Sequence, residues 1–453
     1  MTETRLFGTD GVRGVANQDL TGELAMALGM AAGVVLQRHS TAKNVIVGRD
    51  TRISGEMLEA ALCSGFAAVG VSSVCVGVLP TPGVARLVLA ERALAGAVIS
   101  ASHNPYCDNG IKLFGADGHK LADDVEDEIG ALAQRLVDAP RAVAHAVGRI
   151  RHMPEKREQY VDAVLRVAET QDALKGLRIV LDCANGAASE LAPDIFRALG
   201  AEVIVEHAEP DGININADCG STHPKSMAAV VAAADAQAGV AFDGDADRAI
   251  LADEVGSIVN GDHIMAIIAQ DLAARGGLTN NVVVATIMSN VGLEEALAEF
   301  GAHLHRTNVG DRYVAEAMKT QEAAVGGEQS GHILLPHLTP TGDGIVTAIQ
   351  TLSVMLRTGK KLSQLAATVK ERPQMLTSIE VRSKEGLTTN ERIASAIKAA
   401  ACKVGNPAWV SVRASGTEPL IRIMVQGADD NAVRESFESL CSTVVEALGQ
   451  PEA

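Results

Sequence analysis

Aromatic side chains are scarce in this chain: Phe, Tyr and Trp together make 2% of it, with a single Trp. Proteins that hold single-stranded nucleic acid stack bases on aromatic rings, so that class is disfavoured at the outset. Positive charge is also short. The 56 Asp and Glu outnumber the 39 Lys and Arg, giving a net charge of −17, and such a surface repels nucleic acid and anionic membranes. An anionic substrate must therefore be met by a local basic pocket inside an acidic protein. No apolar run is long enough for a bilayer: the longest, Leu24 to Leu36, falls short of the roughly 20 residues a spanning helix needs. The N-terminus has no basic head followed by an apolar stretch, so no secretory signal is expected. The seven cysteines are odd in number and include no C-x-x-C pair, which points to reduced thiols in a cytoplasm. Cys107, close to the candidate nucleophile below, reads as incidental. Neither G-x-x-x-x-G-K-S/T nor H-E-x-x-H occurs, so a nucleoside triphosphatase and a zinc peptidase have no support.

What is present is a globular balance, 47% apolar and 21% charged over 453 residues. At about 100–200 residues per domain, this length predicts three or four domains. A large unit repeats: strand, helix, strand, helix, strand. Its opening strands are Asn44 to Asp50 (N-V-I-V-G-R-D), Leu177 to Asp182 (L-R-I-V-L-D) and Asn281 to Ala285 (N-V-V-V-A). Short β-branched runs ending in polar loops read as buried parallel strands. Helical patterns follow at Gly55 to Val69, Ala187 to Leu199 and Gly292 to Phe300, each closed by a glycine, Gly70, Gly200 and Gly301. Second strands start near Ser73, Glu202 and His303. A third strand then runs into an unusual loop: A-G-A-V-I-S-A-S-H-N-P (95–105), A-G-V-A-F-D-G-D-A-D-R (238–248) and A-A-V-G-G-E-Q-S-G-H (323–332).

The expected fold is α/β: three similar domains with mixed, mostly parallel sheets, over 1–153, 154–254 and 255–368. A smaller C-terminal α+β domain, 369–453, opens near Arg372-Pro373. Ligands of such sheets bind beyond the carboxyl ends of strands, where all three loops fall, so the domains are expected to surround a central cleft. The fourth domain adds the loop R-A-S-G-T-E-P-L-I-R (413–422).

Asp243, Asp245 and Asp247 alternate in D-G-D-A-D-R. Carboxylates this close repel one another unless a cation lies among them, and a hard ion such as Mg2+ suits oxygen ligands. An EF-hand is a sharper rival than a plain acidic turn. Glu254 falls where its bidentate glutamate would, but Arg248 stands where that loop needs glycine. Ser102 lies in S-A-S-H-N-P, and a hydroxyl is a poor nucleophile unless something activates it. His103 is adjacent, yet neighbouring side chains on an extended segment point apart. No G-x-S-x-G elbow surrounds the serine either, so a serine–histidine hydrolase is not expected. A phosphorylated Ser102 would instead bring about −1.5 to −2 charges and three acceptor oxygens, one of which could complete the metal shell. Alone, this loop also fits an ordinary turn. Paired with the acidic loop, it makes a coherent phosphoryl-transfer site.

Lys112, in D-N-G-I-K-L-F, suits charge balance, or proton transfer if cationic neighbours lower its pKa; a surface lysine is the alternative. Arg13, between Gly11 and Gly14, has the same two readings. Glu328 and Ser330 share one side of an extended G-E-Q-S-G-H, with His332 in the same alternation, and a carboxylate with a hydroxyl suits sugar hydroxyls. In 413–422, Arg413 can bind bidentately, Ser415 and Thr417 donate hydroxyls, Gly416 admits close backbone approach, and Arg422 supplies a second guanidinium. That is a phosphate cradle. For both loops a plain polar turn is the alternative.

The four motifs S-A-S-H-N-P (100–105), D-G-D-A-D-R (243–248), G-E-Q-S-G-H (327–332) and R-A-S-G-T-E-P (413–419), in this order, resemble the α-D-phosphohexomutase family over nearly the whole chain. F-G-T-D-G-V-R-G (7–14) and Gln329 look like its branch that acts on glucosamine phosphates. Ser100 departs from the threonine common there and keeps a hydroxyl. The resemblance implies a phosphoserine at Ser102, and one Mg2+ held by Asp243, Asp245, Asp247 and an oxygen on Ser102. It also implies substrate contacts from Glu328 and Ser330, and a phosphate site at Arg413, Ser415, Gly416, Thr417 and Arg422. Arg13, Lys112 and His332 match catalytic positions, with His103 and Arg248 near metal and phosphate. The implied reaction, of the isomerase class, exchanges glucosamine 6-phosphate and glucosamine 1-phosphate through glucosamine 1,6-bisphosphate. It would supply precursor for UDP-N-acetylglucosamine and cell wall. Alternatives are a glucose or mannose phosphate mutase of the same family and a phosphoserine-type sugar phosphatase. The expected partner is a hexosamine phosphate, with neither nucleic acid nor membrane, and the resemblance makes a homodimer plausible.

Overall fold

Apolar runs without polar alternation become strands buried along their whole length, as at 95–99, 238–242 and 282–286. The computed structural model describes residues 5–8, 10–135, 141–168, 170, 172–414 and 420–449. Its first sheet contains β1 (Val12–Val15), β2 (Asn44–Arg49), β3 (Ser72–Val78), β4 (Ala95–Ile99), β5 (Asp108–Phe114) and β6 (Ile150–His152). Their order is β1-β5-β4-β2-β3-β6. β2 runs parallel to β3 and β4, β3 parallel to β6, and β5 antiparallel to β4 and β1. A second sheet contains β7 (Arg178–Asp182), β8 (Glu202–Glu206), β9 (Ala238–Phe242), β10 (Ala249–Asp253) and β11 (Ile258–Val259), in the order β11-β10-β9-β7-β8. Here β7 is parallel to β8 and β9, and β10 returns antiparallel to β9. The order β5-β4-β2-β3 thus recurs as β10-β9-β7-β8, so the repeat read along the chain is a repeat of topology. Parallel neighbours need a crossover, which helices Gly55–Ala68 and Ala188–Ala198 provide.

Residues 1–271 form one compact unit together with 324–366; a second unit comprises 272–323 and 367–453. The second unit begins with the parallel pair β12 (Val282–Thr286) and β13 (His303–Thr307), joined by helix Val291–Glu299. The first unit gains the antiparallel pair β14 (Val325–Gly327) and β15 (Ile333–Leu334), then helix Gly344–Thr358. The stretch expected as a third domain, 255–368, therefore contributes to both units. The rest of the second unit is an antiparallel sheet of β16 (Gln374–Glu380), β17 (Val410–Ala414) and β18 (Leu420–Gln426), in the order β16-β18-β17. Helices Glu391–Val404 and Asp430–Leu448 share its core of Ile393, Ile421, Ile423, Val425, Val433 and Leu440, the small α+β fold expected.

The fold puts the residues of interest in equivalent places. Ser102 lies in the turn between β4 and β5, Asp243 to Asp247 between β9 and β10, and Glu328 to His332 between β14 and β15. Each turn leads into the returning antiparallel strand of its copy. No described helix is long and apolar enough to cross a membrane.

Candidate active site

Ser102 is buried and takes a left-handed backbone, φ +53, a conformation held at a non-glycine residue only where its surroundings over-determine it. Those surroundings are Arg52 and Asn216. The buried Arg52 donates through Nε to Asp50 (2.9 Å) and through its terminal nitrogens to the carbonyls of Ser102 (3.0 Å), Asn104 (2.8 Å), Asp108 (3.0 Å) and Pro105. A planar fork with five donors suits several carbonyls at once. Asn216 Nδ2 donates to the carbonyls of Ser102 (2.9 Å) and Asn104 (3.0 Å). Ser100 Oγ donates to Asp50 (2.6 Å) and accepts from Ser102 N (2.9 Å). Sequence reading passed over Asp50, Arg52 and Asn216. The signal for the first two was available, since an Asp and an Arg follow a buried strand at its carboxyl end, where ligands bind in such sheets. Asn216 carries no local signal.

Ser102 Oγ donates to Asp243 Oδ2 at 2.6 Å. Asp243, Asp245 and Asp247 are all buried, each presenting a carboxylate oxygen within 4.8 Å of the other two. Around them stand cations. Lys112 Nζ is 2.8 Å from Asp245, 3.1 Å from Asp10 and 3.6 Å from Asp247. Arg248 Nε is 3.8 Å from Asp247 and 4.0 Å from Asp243. Arg13 pairs with Asp10 and reaches Asn104 Oδ1 at 3.4 Å. Thr81 Oγ1 donates to Asp245 (2.5 Å). Asp10, inside F-G-T-D-G-V-R-G, and Thr81 are further residues that the sequence analysis does not single out. Oδ1 of Asp245 is buried and accepts no hydrogen bond, a costly state unless a cation takes it. An all-oxygen donor set of this kind fits a hard ion such as Mg2+. The EF-hand rival falls away because Glu254 Oε1 accepts from Ser363 Oγ (2.6 Å) instead.

Burial first, then Asp247 and Asp245, pushes the Asp243 carboxyl well above its ordinary range. Burial pushes Asp247 the same way, but Lys112, His332 and Arg248 together outweigh it and hold Asp247 ionised. Burial would lower Lys112, yet Asp10, Asp245 and Asp247 outweigh it and keep the ammonium charged. Arg13 is a cationic neighbour that lowers the Lys112 pKa, and the three carboxylates outweigh it. The near neighbours of Lys112 are carboxylates, which favours the charge-balancing reading. One expectation about His103 needs correcting. At φ +53 the segment is not extended, and His103 Nδ1 comes within 3.4 Å of Ser102 Oγ. Burial, with Arg248 and Arg13 nearby, lowers the His103 pKa to about 4, so the ring is neutral at pH 7.

The 328–332 loop joins this cluster within the same unit. Ala249 N donates to Gly331 O (3.1 Å), and His332 Nδ1 lies 3.5 Å from Asp247 Oδ1. The loop is a tight turn rather than the extended segment expected: Glu328 N donates to His332 O and Gly331 N to Glu328 O, both at 3.0 Å. Simple alternation therefore does not relate Glu328, Ser330 and His332. Ser330 is exposed and Glu328 half-buried, and the Glu328 charge is one of those that keep Arg248 protonated against its burial. Gln329 Nε2 donates to Asp262 (3.1 Å). In the second unit, Arg413 and Arg422 are direct register partners across β17 and β18. Ser415, Gly416 and Thr417 lie outside the described residues.

Comparison with known proteins agrees with this geometry. Residues 4–138, 158–256 and 260–372 match phosphoglucomutase/phosphomannomutase alpha/beta/alpha domains I, II and III, and residues 376–442 match the C-terminal domain of the same family. A phosphoglucosamine mutase of Symbiobacterium thermophilum is 49% identical over 443 residues, 97% of this chain and 98% of the relative. One of Moorella thermoacetica is 50% identical over 437 residues, 96% of this chain and 97% of the relative. Among solved structures, a phosphoglucomutase/phosphomannomutase family protein of Burkholderia thailandensis superposes with a TM-score of 0.81 at 24% identity, covering 99% of this chain and 98% of the other. Aspergillus fumigatus N-acetylphosphoglucosamine mutase, solved in complex with GlcNAc-6P and magnesium, gives 0.70 at 17% identity, covering 98% and 96%. At these identities the structural likeness is one of fold.

Proposed function

This chain belongs to the phosphoglucomutase/phosphomannomutase family, and from that premise we propose that it interconverts glucosamine 6-phosphate and glucosamine 1-phosphate with a phosphoryl group carried on Ser102. The observation that carries the reading is the 2.6 Å contact of Ser102 Oγ with Asp243, inside a buried carboxylate cluster flanked by Lys112 and Arg248. A phosphoryl group on Ser102 would set about −1.5 to −2 charges against those carboxylates and needs a cation there. Asp243, Asp245, Asp247 and a phosphoryl oxygen on Ser102 would hold Mg2+, which when bound offsets charge on the transferring group.

The chain's own residues do the rest. The bond from Ser102 Oγ to phosphorus breaks as one from O1 of glucosamine 6-phosphate forms; O1 gives up its proton to a base and Ser102 Oγ takes one up, and the return step reverses both at Oγ and O6. The resulting 1,6-bisphosphate turns end for end. Its O6 phosphoryl group returns to Ser102, and glucosamine 1-phosphate departs. Lys112, Arg248 and Arg13 offset charge near the transferring group, which His103 and His332 border. Glu328 and Ser330 hold sugar hydroxyls. Arg413, Ser415, Gly416, Thr417 and Arg422 grip the phosphate that is not reacting. The four domains 1–153, 154–254, 255–368 and 369–453 each supply one loop, a partition that the family matches support. Relatives near 50% identity named phosphoglucosamine mutase support the amino sugar as substrate. The same premise supports a cytoplasmic homodimer, which sedimentation checks.

The test is turnover on glucosamine, glucose and mannose phosphates in parallel, with phosphopeptide mapping of the resting enzyme. A glucosamine preference with phosphate on Ser102 is expected. Preference for glucose or mannose would overturn the substrate, and steady release of inorganic phosphate would replace the mutase by a phosphatase.

A further inference from the structure

Another cluster of donors lies in the first sheet and takes no part in the site above. Glu59 and Cys63 are four residues apart on helix Gly55–Ala68 and so share a face. Cys75 lies on β3, and His152, on the parallel edge strand β6, is its register partner. These elements bring a carboxylate oxygen of Glu59, Cys75 Sγ and a ring nitrogen of His152 within 4.8 Å of one another. Cys63 Sγ stands 3.5 Å from Cys75 Sγ. Glu59, Cys63 and Cys75 are 7%, 1% and 2% exposed, whereas His152 is exposed at the sheet edge, which gives an ion a way in. Arg49 donates to Oε2 of Glu59 (3.2 Å), orienting that carboxylate. A thiol, a carboxylate and an imidazole that converge, with a second thiol beside the first, are a donor set for a metal. The set differs in kind from Asp243, Asp245 and Asp247: sulfur and imidazole select Zn2+, whereas an all-oxygen set selects Mg2+.

The geometry points to a second cation site, for a thiophilic divalent ion such as Zn2+, held by Cys75, Glu59 and His152. Binding releases the thiol proton of Cys75 to solvent. The ion clips the exposed three-residue strand β6 to β3 and to helix Gly55–Ala68, so its role is to stabilise the fold and not to serve the phosphoryl chemistry.

The experiment uses the full chain, reduced, with Mg2+ saturating the aspartate cluster, and titrates Co2+ as a spectroscopic substitute for Zn2+. A thiolate-to-Co2+ charge-transfer band that saturates at one ion per chain, is displaced by Zn2+ and is lost in Cys75→Ser is expected. His152→Ala changes an exposed side chain and leaves the fold intact. It should weaken Zn2+ at least about tenfold, because loss of even an outer-shell partner costs about 10–100-fold, while mutase turnover stays unchanged. No thiolate band in the parent chain overturns the site, and so does Zn2+ affinity unaltered by His152→Ala.

Discussion

Ser102 has little freedom of its own. Its left-handed backbone is held from behind by Arg52 and Asn216, and its hydroxyl is aimed at Asp243. Ser102→Ala should lower mutase turnover at least about 1,000-fold, the scale of losing a covalent nucleophile, while a thermal melt stays close to that of the parent. Full turnover in that variant would end the phosphoserine reading. Arg52→Met should act on stability as well as turnover, because Arg52 also holds the serine turn. The substitution leaves Asp50 buried without its cation, which costs about 3–5 kcal/mol, read as a lower urea midpoint. Asp343 offers a pH-dependent test. It caps helix Gly344–Thr358 by accepting from Ile345 N and Val346 N, and it takes the Tyr160 hydroxyl at 3.1 Å. Burial outweighs these bonds and raises its pKa from 3.8 to about 6. The folded chain thus binds this proton more tightly than the unfolded chain does. The contribution to stability is fully present below the unfolded value and is lost as pH rises through about 6. Asp343→Asn keeps a capping side chain and removes the titration. Relative to the parent it should gain about 1–3 kcal/mol between pH 4 and pH 7, measured by denaturant titration at each pH. A difference that does not change with pH would refute the assignment.

At the scale of elements, three turns occupy equivalent places, each before an antiparallel return strand of its sheet. Local pattern discloses the strands and helices around them. The β-branched runs at 44–49, 178–182 and 282–286 and the glycines after each helix lie where hydrophobic period and helix-stop rules put them. The turns themselves are less legible. An extended path was expected at Ser102 and at 328–332, and a left-handed residue and a tight turn are found, because backbone conformation there is set by partners from other loops. Gly244 shows how closely two turns meet. A Cβ at this position would stand 2.6 Å from Ser102 O, 2.8 Å from Ile215 Cδ1 and 2.9 Å from Asn216 Nδ2. Gly244→Ala should cost about 1–3 kcal/mol of stability through overpacking. Its effect on turnover should be larger, about 100-fold, since a displacement near 1 Å in a reacting group has that effect. Parallel turnover and melting measurements would separate the two, and unchanged turnover would mean the loops can part freely.

For the whole molecule, the acidic surface and the cationic ring around the aspartates work in opposite senses: net charge is −17, yet Lys112, Arg13 and Arg248 gather at one place. Chelation of divalent ions should abolish turnover and added Mg2+ should restore it, with Asp245→Asn insensitive to the addition. Activity that persists in chelator would remove the metal from the reaction. By itself the sequence determined the α/β repeat, the small last domain, and which residue types could bind metal, phosphate and sugar. These follow from hydrophobic period, turn chemistry and donor type, all properties of short segments. Only the tertiary structure decided that Lys112 faces carboxylates, that His103 lies beside the Ser102 hydroxyl, that Arg52 and Asn216 hold the serine turn, and that Glu59, Cys75 and His152 converge. Burial and electrostatic environment are sums over neighbours far apart in the chain, and no local pattern carries them.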